Sequence, residues 1–384
     1  MNVERLGVVG AGTMGAGIAQ LGCLGGFGVV LHDPDPAALA SGADRLQAAL
    51  AKGAGKGLWS AGEATRAAGA LETAGFDGLA ECDLVIEAAP ESLELKRKLF
   101  SELAESCGPG AILATNTSSI PVSDIAAEVD GPERVCGMHF FNPPPLMRLV
   151  EIVAGERTDD ATLDLATQVG RAMGREPVRA ADAPGFIVNR CNRPYALEAL
   201  RMLGEGVASH AEIDRAMCEQ GGYRMGPFEL MDLIGVDVNL GVAKSFYAQR
   251  EVARWEPHEI QEEMVAAGRL GRKAGRGFYE YDGGKKVEDA ALGAVEEEGR
   301  AIFERVVSCL VNEASFAVEE GVATPSDVDT AMKLGLNHPK GPFEWREELG
   351  AGRVVATLDM LAENAQSERE AERYRVADSL RELA

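Results

Sequence analysis

The sequence predicts an α/β, doubly wound parallel sheet followed by two related all-α domains. Three observations carry this expectation. Short apolar runs alternate with helical segments through the first part of the chain. After about residue 182 the texture turns helical, without clear strands. Inside that helical region one stretch recurs at a constant offset of 115 residues.

The elements follow in order. Residues 5–9 form an apolar β-run, and GAGTMGAGIAQLG is a glycine turn that opens a helix. VVLHD (29–33) is a second strand, Pro34 to Ala51 reads as a helix, and a helical arm with a glycine-rich break, AKGAGKGLW, comes next. DLVIEAAPE (83–91) is a strand with its exit loop. The helix SLELKRKLFSELAESC then stops at Gly108-Pro109-Gly110. AILATNTSS (111–119), RVCGMHFF (134–141) and RLVEIV (148–153) are further strands. Short links between alternating strands and helices argue for a parallel sheet.

ADAPG (181–185) reads as a joint, and DGGKKVEDAALG (282–293) as a second, softer one. Residues 198–235 match residues 313–350 without a gap: Glu198 pairs with Glu313, Asp214 with Asp329, and Gly226-Pro227-Phe228-Glu229 with Gly341-Pro342-Phe343-Glu344. Two copies are too few for a solenoid. The expected domains are therefore 1–182, a nucleotide-binding sheet; 183–284, helical copy 1; and 290–384, helical copy 2.

A formal net charge of −23 argues against nucleic acid or an anionic membrane as a partner. Seven scattered cysteines, with no CxxC pair, point to reduced thiols in a cytoplasmic setting and give no reason to expect a metal. The opening MNVERLGVVGAG is not expected to be a signal peptide, and no apolar run reaches the roughly 18 residues of a membrane span.

Gly10, Gly12 and Gly15 make a GxGxxG between a β-run and a helix, the context in which this motif cradles a pyrophosphate. Thr13 and Met14 complete the turn, where the helix N-terminus supplies N–H donors. Asp33 ends the next strand; a carboxylate there accepts ribose hydroxyls and repels a 2′-phosphate, which favours NAD over NADP. FAD or a Gly-rich turn without nucleotide are the alternatives.

His139 falls near the end of an apolar strand, before Asn142 and three prolines that turn the chain. Glu151 follows 12 residues later on the next strand. A strand–turn–strand would bring them together, so that the carboxylate fixes the imidazole tautomer for general-base work. A hydrogen-bonded core histidine would fit the same residues.

Seven stretches then carry a resemblance: GAGTMGAGIAQ, LVIEAAPESLELK, ATNTSSIPVSDIA, HFFNPPPLMRLVEIV, PGFIVNR, GPFELMDLIGVD and GRKAGRGFYEY. Running from residue 7 to about 281, they make the chain similar to the L-3-hydroxyacyl-CoA dehydrogenase family, 3-hydroxybutyryl-CoA dehydrogenases included. The resemblance implies a Rossmann-type sheet, NAD as cofactor and reversible oxidation of (3S)-3-hydroxyacyl-CoA in fatty acid or butanoate metabolism. A 3-hydroxyadipyl-CoA substrate and a non-catalytic NAD-binding protein are its alternatives. It makes His139 the catalytic base, Glu151 its partner, Ser118 a residue near the substrate oxygen and nicotinamide, and Asn189 a positioner of the reacting oxygen. Glu91, Lys96, Asn116, Asn142 and Lys273 match cofactor contacts, and Lys56 lies where a basic residue meets CoA phosphates, with Lys52 as competitor. Asn189 corresponds to Glu304 in the second copy, which also lacks a GRKxGxGFY tail. Copy 2 is therefore expected to be structural, and the assembly a homodimer or a pseudo-dimer through the duplicated helices.

Overall fold

Leu6, Val8 and Val9 are apolar and fully enclosed, and the strand they form lies at the heart of the sheet. In the computed structural model, which describes residues 3–287 and 296–384, the chain divides into two compact units, Met1–Phe186 and Ile187–Ala384.

The first unit holds an eight-stranded sheet in the order β3-β2-β1-β4-β5-β6-β7-β8. β1 (Arg5–Val9), β2 (Gly28–His32), β3 (Leu71–Thr73), β4 (Leu84–Glu87), β5 (Ile112–Thr115) and β6 (Val135–Phe140) are parallel. β7 (Leu149–Ala154) runs antiparallel to β6, and β8 (Glu176–Ala181) parallel to β7. The strand order reverses between β1 and β4, the switch point of a doubly wound sheet. β3 and β8 go beyond the strands expected from sequence. β3 has three residues and a single large apolar side chain, and Pro177 and Arg179 interrupt the apolar pattern of edge strand β8.

The helices are α1 (Thr13–Leu24), α2 (Pro36–Gly55), α3 (Ala61–Gly69), α4 (Leu93–Ser106), the single turn α5 (Val122–Ile125) and α6 (Asp160–Ala172). Asp35 caps α2 and Ser92 caps α4, and Ser60 and Glu63 form a capping box on α3, each cap contributing about 1 kcal/mol. Ile18, Ala19 and Leu21 of α1 join Leu6, Val8 and Leu31 in one core, to which α6 adds Ala166 and Val169.

The second unit is helical: α7 (Val188–Cys191), α8 (Arg193–Gly204), α9 (His210–Gly221), α10 (Pro227–Ile234), α11 (Val236–Gln249), α12 (Glu259–Ala266), α13 (Glu296–Glu319), α14 (Pro325–Leu336), α15 (Pro342–Leu349), α16 (Ala351–Glu363), and two short helices, Glu368–Arg373 and Asp378–Glu382. Both copies feed one apolar core, in which Leu197, Leu200, Met217 and Phe228 pack with Val306, Leu310, Trp345 and Leu358. At the start of the expected joint (282–293), Tyr281–Asp282 pairs with Lys285–Lys286 in a short hairpin, while residues 288–293 and the start of copy 2 at 290 lie outside the described residues.

The repeated residues have structural jobs. Asp214 accepts the Phe228 N–H at 2.8 Å and caps α10; Asp329 accepts the Phe343 N–H at 2.8 Å and caps α15. A Cβ on Gly226 would stand 2.3 Å from Asp214, and one on Gly341 2.2 Å from Asp329, so the close approach of each acid requires glycine. Arg190 pairs with Glu313 and Glu320, while its counterpart Arg305 pairs with Glu198 and Glu205. The pairing is reciprocal, as across a two-fold dimer interface.

Candidate active site

The parallel strands β1, β2, β4, β5 and β6 point their C-terminal ends to one edge of the sheet, where an α/β fold of this kind binds its ligand. At the end of β1, Gly10 has φ +98°, and a Cβ there would come within 2.6 Å of the Ala88 carbonyl oxygen. A Cβ on Gly15 would lie 1.7 Å from the Gly10 carbonyl oxygen, which seats α1 tightly on the turn. Gly12 is different: no atom lies within 4 Å of its Cβ direction. Gly12 is also the N-cap of α1, with no side-chain cap and no acid in the first turn beside Thr13 and Met14. Open space before uncapped N–H groups suits a diphosphate. Asp33, just past β2, accepts the Ala11 N–H at 2.8 Å and the Asp35 N–H at 2.9 Å, so the turn itself holds the carboxylate in place. These residues fit NAD: a cradle for pyrophosphate and, one strand away, an anionic acceptor for ribose hydroxyls.

After β4 the structure shows a network that the sequence reading did not foresee. Glu87 ends β4 wholly buried, taking hydrogen bonds from Lys96 Nζ at 2.6 Å, Thr115 Oγ1 at 2.7 Å and the Ala89 N–H at 2.6 Å. Lys96 is itself 1% exposed and reaches Glu91 at 3.4 Å. One Glu91 oxygen then gathers the loop after β5, accepting from Thr117 Oγ1 (2.6 Å), the Ser118 N–H (3.1 Å), the Ser119 N–H (3.2 Å) and Ser119 Oγ (3.0 Å). Burial opposes ionisation of Glu91, but the Thr117 hydroxyl, the Lys96 ammonium and the serines outweigh it and hold its carboxyl below the usual range. Lys96 thus sits beneath the Glu91 loop rather than on the surface. Asn116 accepts the Phe140 N–H at 2.8 Å and ties the same loop to β6. A charged residue inside the apolar run DLVIEAAPE was the signal that could have revealed Glu87.

His139 and Glu151 stand directly opposite each other in the β6–β7 ladder, and His139 Nδ1 meets Glu151 Oε2 at 2.5 Å. The Pro turn between the strands sets this register. Glu151 is wholly buried and His139 is 6% exposed, packed by the rings of Phe141 and Phe186 at 4.5 and 5.8 Å. The tautomer that lets an ionised Glu151 accept this bond has its proton on Nδ1 and leaves Nε2 with a free lone pair.

The other candidates are more dispersed. Asn142 is exposed in the Pro turn, and Lys52 and Lys56 are exposed at the end of α2. Asn189 lies half-buried on α7, and Lys273 exposed in the short turn Arg272–Ala274 of the second unit.

The doubly wound sheet, its glycine cradle, Asp33 and the imidazole–carboxylate pair define an NAD-dependent dehydrogenase. Residues 5–183 match the family model described as 3-hydroxyacyl-CoA dehydrogenase, NAD binding domain, and residues 185–281 and 302–384 match the C-terminal domain model of the same family. The chain belongs to the 3-hydroxyacyl-CoA dehydrogenase family. It is 36% identical to a 3-hydroxyadipyl-CoA dehydrogenase of Escherichia coli (strain K12), over 100% of this chain and 98% of that protein. It is 42% identical to a 3-hydroxybutyryl-CoA dehydrogenase of Bradyrhizobium diazoefficiens, over 74% of this chain and 98% of the relative. Among solved structures, a 3-hydroxybutyryl-CoA dehydrogenase from Escherichia coli K12 superposes with a TM-score of 0.92 at 35% identity, covering 100% of this chain and 98% of that one. No helix among the described residues is long and apolar enough to cross a membrane.

Proposed function

We propose that His139 is the general base in the NAD-dependent, reversible oxidation of (3S)-3-hydroxyacyl-CoA to 3-oxoacyl-CoA, and that Glu151 is the residue that positions it. The observation that carries this reading is the buried 2.5 Å contact between His139 Nδ1 and Glu151. It leaves Nε2 to take the C3 hydroxyl proton, and the carboxylate stabilises the imidazolium that results. NAD, when bound, supplies the acceptor for the hydride that leaves C3. Gly10, Gly12, Thr13, Met14 and Gly15 would hold its pyrophosphate, and Asp33 a ribose. Glu91, with Lys96 and Glu87 behind it, holds the Asn116–Ser119 loop, from which Ser118 addresses the substrate oxygen. Asn142 and Lys273 serve the nicotinamide end, Asn189 orients the reacting oxygen, and Lys56 meets the CoA phosphates.

NADH formation from 3-hydroxybutyryl-CoA tests the base. His139→Gln should lower kcat by about 10²–10⁴-fold. Near-normal turnover would remove the assignment.

Copy 2 acts, in this reading, as a built-in dimer partner for copy 1. The reciprocal pairs of Arg190 and Arg305 and the shared core support it. Deleting residues 290–384 should expose that core and yield an aggregating or dimerising protein; a soluble truncation with unaltered assembly would refute the idea. A cytoplasmic setting belongs to the same proposal, on the ground of seven scattered cysteines without a CxxC pair.

A further inference from the structure

Among the described residues, Arg193 is a buried cation without a counter-ion. It opens α8 at 5% exposure. Its Nε–H donates to the Asn189 backbone carbonyl at 3.3 Å, while Nη1 is buried and finds no acceptor. The guanidinium lies over the Phe246 ring, 5.9 Å from its centroid, and Oδ1 of neighbouring Asn192 is also buried without a donor. Burial, uncompensated by any carboxylate, pulls Arg193 down to about 10. An unpaired buried charge is costly to a fold.

The second copy provides an internal control. Arg190, Glu198 and Asp214 keep their identities at Arg305, Glu313 and Asp329. Asn189, Asn192 and Arg193 do not: their counterparts are Glu304, Val307 and Ser308. Ser308 is 1% exposed inside the continuous helix α13, so the corresponding position of copy 2 is closed without a charge. Copy 2 therefore packs this stretch with no arginine. What distinguishes copy 1 is Asn189, which on the proposed reaction attends the reacting oxygen, and Arg193 lies four residues on, tied to the Asn189 carbonyl by its Nε–H.

We propose that Arg193 receives a carboxylate carried by the acyl chain, making the substrate a short 3-hydroxy dicarboxylyl thioester such as 3-hydroxyadipyl-CoA. This rests on the dehydrogenase reading above. A guanidinium grips a carboxylate through two parallel hydrogen bonds. The ω-carboxylate of a six-carbon diacid is three bonds from C3, within a helical turn of Asn189. The CoA phosphates lie at the far end of the pantetheine arm.

The test compares 3-hydroxyadipyl-CoA with 3-hydroxyhexanoyl-CoA, which has the same carbon number and the same CoA. The full chain with NAD should favour the diacid in kcat/KM by at least about tenfold, and Arg193→Met should collapse that ratio by about 10- to 100-fold. Arg193→Lys, which keeps the charge and loses the fork, should restore part of it. Calorimetric binding of adipyl-CoA against hexanoyl-CoA should follow the same pattern. A wild-type ratio of one or less would overturn the proposal, and needs no variant to fold. So would an Arg193→Met variant that weakens both thioesters alike, since the arginine would then serve the thioester or CoA phosphates. If neither thioester were oxidised, the dehydrogenase reading would fail, and the binding ratio would still decide the carboxylate site.

Discussion

Glu198 and Glu313 occupy equivalent positions in the two helical copies, and each is wholly buried against an arginine of the other copy. Arg305 Nε meets Glu198 at 2.6 Å, and Arg190 Nε meets Glu313 at 2.9 Å. Arg254 and the Trp255 indole N–H add to Glu313; Arg201 and the Tyr374 hydroxyl add to Glu198. Burial alone would raise the Glu198 carboxyl, but Arg201 and Arg305 more than offset it and hold it low.

Removing one member of such a buried set strands the others. Glu313→Gln should lower the unfolding free energy by about 3 kcal/mol. Glu320 is about one-third exposed, and Glu320→Gln should cost under about 1 kcal/mol. Urea titrations of the two variants read the difference. Equal losses would show that depth is not what gives the network its strength.

Glu151→Gln keeps the shape of the β6–β7 pair and removes its charge. The imidazolium would lose its counter-ion, so kcat should fall by about a hundredfold or more while the thioester KM changes little. A variant with raised KM and intact kcat would point to substrate binding instead.

Asp33 accepts the Ala11 N–H of the glycine turn and the Asp35 N–H of its own turn, so replacing it should change cofactor choice and also release those two backbone groups. Asp33→Ala should raise the KM for NAD by about tenfold and narrow the preference over NADP, whose 2′-phosphate is no longer repelled. Unaltered NAD kinetics would place the ribose elsewhere.

His338 gives a pH dependence with a definite sign. It is enclosed by Tyr195 and Tyr223, and burial pulls its imidazole down to about 3. The unfolded chain therefore takes up a proton near the ordinary histidine range while the native state does not. Stability should be intact above about pH 6.5 and drain away as pH falls toward 3. Unfolding midpoints at about pH 7 and about pH 5 should separate more for the wild type than for His338→Phe. Identical pH slopes would show that this ring is protonated in the folded protein.

Much of the first unit could be read from residue order, because its signals are local. Gly10, Gly12 and Gly15 sit between a strand and a helix, and the Pro turn after Phe141 dictates which residue of β7 faces His139. The buried charges were harder to read. Lys96 sits in a polar helix and looks like a surface residue; it is inside because Glu87, nine residues earlier, and Glu91 converge on it. Arg190 and Arg305 are equally remote in sequence, and only extending the 115-residue match upstream to them would have raised the question of their partners. Arg193 follows Asn192 in CNRPY, a pattern that reads as a helix start and hides a charge with no mate among the described residues.

Covalent linkage of the helical copies also changes what dilution can do. Two-fold partners held by such arginines would separate as concentration falls, whereas segments of one chain meet at a fixed effective concentration. Melting temperature and turnover per chain should then be insensitive to enzyme concentration. Linkage also lifts the demand that both halves be identical. On the proposed reaction, one half keeps Asn189 and Arg193, and the other carries Glu304 and Ser308 at the matching positions.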